Sequence, residues 1–185
     1  MNDQGSETSL KHEIQQEINA AKEHSTDHPE SSRGLANIIL SLGEKGNDFY
    51  DQIPGVRVVH KAETRNPNEE CLMFSMHAQT GEEAQGKLRF SLRTSTPSPQ
   101  YRENALILYL DDQGRMKHIG QTTDQGSVIS KWGRAPVLEH PVNTVPTYYG
   151  NKVVFLIPPF SLTDELAKKR EPLTREELLA HSAAI

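Results

Sequence analysis

The chain has 185 residues, 35% of them hydrophobic, and a formal net charge of −5 at pH 7. That length suffices for one domain with a real core and polar tails, and the negative charge disfavours nucleic acid or an anionic membrane as the main partner. Cys71 is the single cysteine, so no intrachain disulfide can form.

Neither a secretory signal nor a membrane span is predicted. The first residues lack the basic start and apolar core of a signal peptide. No apolar run approaches the ~20 residues that a transmembrane helix needs. We therefore expect a protein without a membrane span that is cytoplasmic, or that is exported without a Sec signal as a secreted effector or toxin.

The chain divides into a central domain with a tail on each side. Residues 1–33 are polar, and Leu10, Ile14 and Ile18 recur at helical spacing, so this segment is predicted to be partly disordered or helical. A partner or an export machinery would bind there. The domain is predicted over 34–160. It is followed by a helical tail over 161–185, whose last helix begins with a capping box at Thr174.

Several elements are predicted before the centre of the domain. Residues 34–43 form an amphipathic helix, with Ser31 and Ser32 as candidate caps. The next loop contributes buried anchors, and a short strand follows near Val58. The helix face and the anchors are Leu35, Ile38, Ile39, Leu42, Phe49, Tyr50 and Ile53.

Cys71 is predicted in the first turn of an apolar helix, because Asn68 is a good N-cap residue. A helix N-terminus stabilises a thiolate through its unpaired amides and its dipole. Residues 87–93 alternate between polar and apolar, which predicts a half-buried strand. Residues 94–102, with Pro97 and Pro99, are predicted to be a surface loop.

The central stretch predicts a β-hairpin. An apolar run ends at residues 111–114, where Asp, Gln and Gly supply turn chemistry, and alternation resumes through Met116, His118 and Gly120. A further short strand ends at Trp132, and residues 152–157 form a final buried strand. His118 is thus aimed firmly by a strand beside a tight turn, and it is the best placed base for Cys71. His77 lies six residues after Cys71 and on another face of its helix.

The order of residues here resembles the NlpC-like branch of the papain-like cysteine peptidase and amidase superfamily. The resemblance covers residues 64–160 and includes an upstream cysteine that opens an apolar helix. It implies an α+β, papain-like fold in which the helix that bears Cys71 packs on a small antiparallel sheet. The matching segments are Leu108–Tyr109, Asp112–Gly114, His118–Gly120, Ser130–Gly133, Glu139–His140 and Tyr149–Gly150.

The resemblance also implies roles for individual residues. Cys71 would be the nucleophile and His118 the general base and acid. The residue that orients the imidazole would be Ser130 or His140. Trp132 and Tyr149 are interpreted as packing residues or as substrate-binding walls. The predicted function is a cysteine-dependent amide hydrolase (a peptidase, an amidase or a glutamine deamidase) that acts on a protein or peptide and needs no cofactor.

Two other classes of function compete with this prediction. In the first, the protein is a catalytically inactive papain-like module that binds a peptide or protein, and Cys71 is structural. In the second, His118 and His140 bind a metal ion, although the sequence offers no acidic third ligand at motif spacing.

Overall fold

The computed structural model describes residues 12–16, 18–20, 29–60, 71–159 and 171–185. The predicted helical position of Leu10, the predicted N-cap at Asn68 and the first part of the C-terminal tail, 161–170, lie outside these ranges. Within them, residues 12–16 and 18–20 are helical.

An antiparallel sheet of eight strands forms the centre of the described chain. Its spatial order is β1-β6-β5-β4-β3-β7-β2, and β8 pairs with β7. All of its ladders are antiparallel. The strands are β1 (Arg57–His60), β2 (Thr96–Ser98), β3 (Leu106–Leu110), β4 (Met116–Thr122), β5 (Val128–Lys131), β6 (Val137–His140), β7 (Lys152–Ile157) and β8 (Ala183–Ala184).

Short helices flank this sheet. The α-helices are α1 (Pro29–Ser41), α2 (Cys71–Ser75), α3 (Gly81–Thr94) and α4 (Arg175–Ala180), and 3-10 turns occur at Gly43–Gly46, Tyr50–Gln52 and Thr147–Tyr149. Thr174 caps α4 through the predicted capping box. Among the described helices, none combines the length and the apolar character that crossing a bilayer requires.

Each face of the sheet carries its own core. Side chains alternate between the faces along each strand, so Ile107 and Tyr109 contribute to one core and Leu108 and Leu110 to the other. The first core also receives the helical residues near the start of the chain through Ile14 and Ile18, α1 through Leu35 and Ile39, and the buried rings of Tyr50 and Trp132. The second core receives α2, α3 and α4 through Leu72, Met76, Ala84, Leu88 and Leu178.

The predicted papain-like fold is therefore wrong. The sheet has eight strands rather than a few, and the helix that bears Cys71 spans only Cys71–Ser75 among the described residues. The physical reason is that the sheet recruits distant segments at its edges. Arg57 pairs with Glu139 at one edge, and Thr96 pairs with Ile157 at the other.

Three local predictions also fail. Residues 87–93 belong to α3 and not to a strand, because Thr80 caps a helix whose buried Ala84 and Leu88 are four residues apart. The predicted surface loop 94–102 contains β2. The first helix begins at Pro29, so Ser31 and Ser32 lie inside it rather than capping it. The predicted hairpin and the strand at 152–157 are confirmed.

Replacement of Gly150 by alanine should lower the free energy of unfolding by about 2–4 kcal/mol. Gly150 has φ +107°, and a Cβ there would overlap the carbonyl carbon and oxygen of Leu110. Its own carbonyl accepts a hydrogen bond of 2.5 Å from Nη2 of the buried Arg33. Urea denaturation measures the change. As the control, Gly86→Ala in α3 meets nothing within 4 Å and should be neutral or stabilising, so equal losses in the two variants would contradict the prediction.

Candidate functional site

The β3–β4 hairpin places His118 on the same face of the sheet as Tyr109, which is its direct cross-strand partner. The turn is held by Asp111, whose Oδ1 accepts hydrogen bonds from the backbone of Gln113 and Arg115 at 3.0 and 2.9 Å. Gly114 completes the turn with φ +72°, a conformation that glycine adopts without strain. His118 therefore faces the first core from a fixed backbone.

Two aromatic rings enclose the imidazole of His118, which is only 1% exposed. The ring of Tyr149 stacks on it, with centroids 4.1 Å apart and planes 21° apart. The ring of Tyr109 lies 5.6 Å away in a tilted arrangement. This packing fixes the orientation of the imidazole and keeps bulk water from its faces.

A buried chain of hydrogen bonds starts at His118; we call it the His118–Ser130–His140 relay. His118 Nε2 lies 3.0 Å from Ser130 Oγ, which lies 2.8 Å from His140 Nε2. Trp132 Nε1 donates to the same oxygen at 3.0 Å, and His140 Nδ1 lies 2.8 Å from the carbonyl oxygen of Pro141. The structure thus brings together both residues between which the sequence left the orienting role open.

The second ring nitrogen of His118, Nδ1, takes no part in the relay. Its Nδ1 is buried and has no hydrogen-bond partner among the described residues. An unpaired polar atom in a protein interior costs free energy, so such atoms are uncommon and call for an explanation. Here the imidazole is anchored through Nε2, while the buried Nδ1 has no hydrogen-bond partner among the described residues.

Burial keeps both histidines of the relay neutral. It lowers the pKa of His118 well below its ordinary value, and the nearby His140 lowers that pKa further. Burial also lowers the pKa of His140 to about 4, although the hydrogen bond to Pro141 and the charge of Glu139 oppose this shift. At neutral pH each imidazole is therefore in its basic form.

Cys71 is the first described residue of α2 and is partly exposed. This helix packs against β4 and β5. It is held there because Ser75 Oγ donates to the carbonyl oxygen of Ile119 at 3.1 Å and Gln121 Nε2 donates to that of Ser75 at 2.7 Å. Cys71 itself packs at the margin of the second core, whereas His118 faces the first.

Both Cys71 and His118 act on Tyr149, the first through its charge and the second through ring stacking. The β4–β5 ladder ends at the pair Gly120–Ser130, so the part of β4 that carries His118 has no β5 partner beside it. Burial raises the pKa of Tyr149, and the charge of the Cys71 thiolate is the next largest cause. The charge of Cys71 therefore acts on the same tyrosine whose ring stacks on His118.

The two residues interpreted as packing residues or substrate walls, Trp132 and Tyr149, are both buried. Trp132 is 0% exposed and its ring contacts those of Tyr50 and His140. Tyr149 is buried against His118. His77 is exposed, and its Nε2 lies 3.0 Å from Gln121 Nε2.

Sequence reasoning missed Tyr50 and Lys131 as supports of this site. The Lys131 ammonium is buried and donates to the carbonyl oxygens of Gly133 and Ala135 at 3.2 and 3.0 Å, which fixes the loop after Trp132. A buried lysine has no signal in a sequence that alternates here as an ordinary strand would.

The described residues contain no group of three or more histidine, cysteine or acidic side chains arranged to hold a metal ion. His118 and His140 are separated by the Ser130 hydroxyl, which occupies the position between their facing nitrogens.

A buried relay of two histidines and a serine lies on an antiparallel sheet against which the helix of Cys71 packs, and together they define a candidate thiol site. Residues 57–157 match a family described as a domain of unknown function (DUF7689), which covers more than half of the 185 residues. The chain belongs to this family, and Cys71 and every residue of the relay lie within the matched range. No curated protein and no solved structure matches the chain.

Acid should destabilise the folded chain through His140. Its pKa is about 4 when folded against an ordinary 6.5, so the unfolded chain binds more protons between these values and stability falls as the pH falls. This stability is fully present above pH 6.5 and amounts to roughly 3 kcal/mol. His118 acts in the same direction. Urea denaturation between pH 7 and 4.5 measures the loss, and an unchanged free energy of unfolding would contradict the burial of neutral histidines.

Proposed function

We propose that the protein is a cysteine-dependent amide hydrolase in which Cys71 is the nucleophile and His118 the general base and acid. The observation that carries the proposal is the imidazole of His118, which is anchored through Nε2 while its buried Nδ1 has no partner. A general base needs this combination of a fixed ring, a basic form at neutral pH and a nitrogen open to the reacting proton. The electrostatic influence of Cys71 on the pKa of Tyr149, whose ring stacks on the same imidazole, supports the pairing.

The proposed reaction is that of a thiol hydrolase. Cys71 transfers its thiol proton to His118 Nδ1 as the sulfur attacks an amide carbonyl carbon, and a tetrahedral oxyanion forms. Protonated His118 then gives this proton to the leaving nitrogen, and a thioester remains on Cys71. Water, deprotonated by the same Nδ1, attacks the thioester, and the carboxylic acid and the free thiol are released.

The substrate class is an amide of a protein or peptide, either a backbone bond or a glutamine side chain. The proposal concerns chemistry and not fold, since the sheet is not the predicted papain-like one. The resemblance of the sequence to NlpC-like hydrolases stays a prediction.

The second candidate is a protein without catalytic activity, and the burial of the relay favours it. His118, Ser130 and His140 are all essentially inaccessible to solvent. In that case the relay only stabilises the sheet, Cys71 is an ordinary partly buried thiol, and the protein binds its partner through another surface.

An activated ester separates the two candidates. With p-nitrophenyl acetate, the wild-type chain should release a burst of about one equivalent of nitrophenolate and carry one acetyl group on Cys71 by mass spectrometry. Cys71→Ser should show no burst, with unchanged far-UV circular dichroism to establish that it folds. Acetylation only at lysines, or at Cys71 no faster than at a free thiol of the same concentration, would contradict the hydrolase.

A further inference from the structure

We propose that His140 is a positioning residue that holds His118 in the tautomer protonated at Nε2 and leaves Nδ1 as a free lone pair. The effect passes through Ser130, so Ser130 and His140 act in series rather than as alternatives. The importance of this tautomer for catalysis rests on the proposed function, whereas the tautomer itself does not.

The direction of the protons is set at the far end of the relay. The carbonyl oxygen of Pro141 can only accept a hydrogen bond, so His140 Nδ1, 2.8 Å away, must carry the proton and donate it. A neutral imidazole has one protonated nitrogen, and His140 is neutral because burial lowers its pKa to about 4. Its Nε2 is therefore an acceptor.

Ser130 transmits this direction to His118. Its hydroxyl has one proton and two lone pairs, and the proton is committed to His140 Nε2 at 2.8 Å. The indole N–H of Trp132 is a donor only and takes one lone pair at 3.0 Å. His118 Nε2, also 3.0 Å away, can then only donate to the remaining lone pair.

The consequence explains the unpaired atom at the site. Neutral His118 with its proton on Nε2 has no proton on Nδ1, so the buried Nδ1 is a basic lone pair rather than an orphaned donor. The opposite tautomer would place a proton on the nitrogen that has to accept one. His140 thus decides whether His118 is able to act as a base, although the Ser130 hydroxyl lies between them.

The two neighbours of the Ser130 hydroxyl should have different effects. With Trp132 removed, His140 still takes the Ser130 proton, so the tautomer of His118 is retained. With His140 removed, the Ser130 proton is released and can turn to His118 Nε2, which then becomes an acceptor. Trp132→Phe is therefore the matched control for His140→Phe, because both replace an aromatic side chain of the same relay.

The test is ¹⁵N–¹H NMR of the imidazole nitrogens at pH 7 in the full chain, assigned by comparison with His118→Gln. In the wild type, His118 should be protonated at Nε2 only and His140 at Nδ1 only. Trp132→Phe should keep the His118 signal, while His140→Phe should convert a substantial fraction to the Nδ1–H form. A wild-type His118 protonated at Nδ1 overturns the inference even if His140→Phe does not fold, and so does a folded His140→Phe with an unchanged tautomer.

This readout is independent of the hydrolase chemistry. If the expected tautomers are found but the activated ester does not acetylate Cys71, the proposed function alone is contradicted. Acetylation of Cys71 with His118 protonated at Nδ1 would contradict the role of His140 alone.

Discussion

Replacing His118 with glutamine should slow the alkylation of Cys71 by iodoacetamide at pH 7 by about 10²-fold or more. Glutamine retains a polar group that can reach Ser130, but it has no basic nitrogen to accept the thiol proton. The rate is measured by mass spectrometry over a series of pH values. Because burial holds the pKa of His118 well below 6.5, the wild-type rate should persist as the pH falls toward that value. The variant should instead follow an ordinary thiol with a pKa of about 8.5.

His77→Gln is the matched control for this substitution. His77 is close to Cys71 along the chain, but it is exposed and contacts Gln121. Its replacement should change the alkylation rate by less than about twofold, the size of an ordinary surface effect. Equal rates for the wild type and His118→Gln would show that Cys71 has no catalytic base, and the hydrolase proposal would then fail.

The parts of the fold that depend on neighbouring residues were predictable from the sequence. The β3–β4 hairpin and β7 follow from apolar runs, alternation and turn residues within a few positions of one another. Residues 87–93 show the limit of such patterns, because Leu88 and Leu92 are separated by four residues and fit a helix as well as a strand. The N-cap at Thr80 and the burial of Ala84 decide for the helix, and both lie outside the alternating segment.

The size of the sheet was not predictable, because its edges depend on distant pairing. β1 pairs with β6 across a register irregularity, and β8 consists of only Ala183–Ala184. The strand near Val58 was predicted but its partner was not, and β8 carries too little pattern to be recognised alone. Because these edges were not recognised, the sequence suggested a small sheet with one helix. That arrangement is closer to a papain-like fold than the observed eight-stranded sheet is.

The candidate site shows the same division. Cys71 and His118 could be singled out from residue type and local pattern, but the partner of His118 required the strand register. Ser130 faces Gly120 across one ladder, and His140 faces Val128 across the next. The registers of both ladders are needed to place the two side chains on the same face of the sheet as His118. The sequence could therefore offer Ser130 and His140 as alternatives, but it could not show that one contacts His118 through the other.

Replacing Ser130 with alanine should lower the free energy of unfolding by about 3–5 kcal/mol, near the upper limit of single substitutions. The change removes few atoms, but it leaves three buried groups without a partner: Trp132 Nε1, His118 Nε2 and His140 Nε2. Each unsatisfied group costs about 1–3 kcal/mol. Urea denaturation at pH 7 measures the effect.

Ser127→Ala is the control, since the Ser127 hydroxyl bonds to Thr123 and Glu139 in a partly exposed position. Water can replace these bonds, so the loss there should stay below about 1 kcal/mol. Similar losses of unfolding free energy in the two variants would mean that the hydrogen bonds of the Ser130 hydroxyl do not stabilise the fold more than those of an ordinary surface serine. A large loss in Ser130→Ala alone would show that this one oxygen atom stabilises the sheet. The relay would then contribute to the stability of the core as well as to the site.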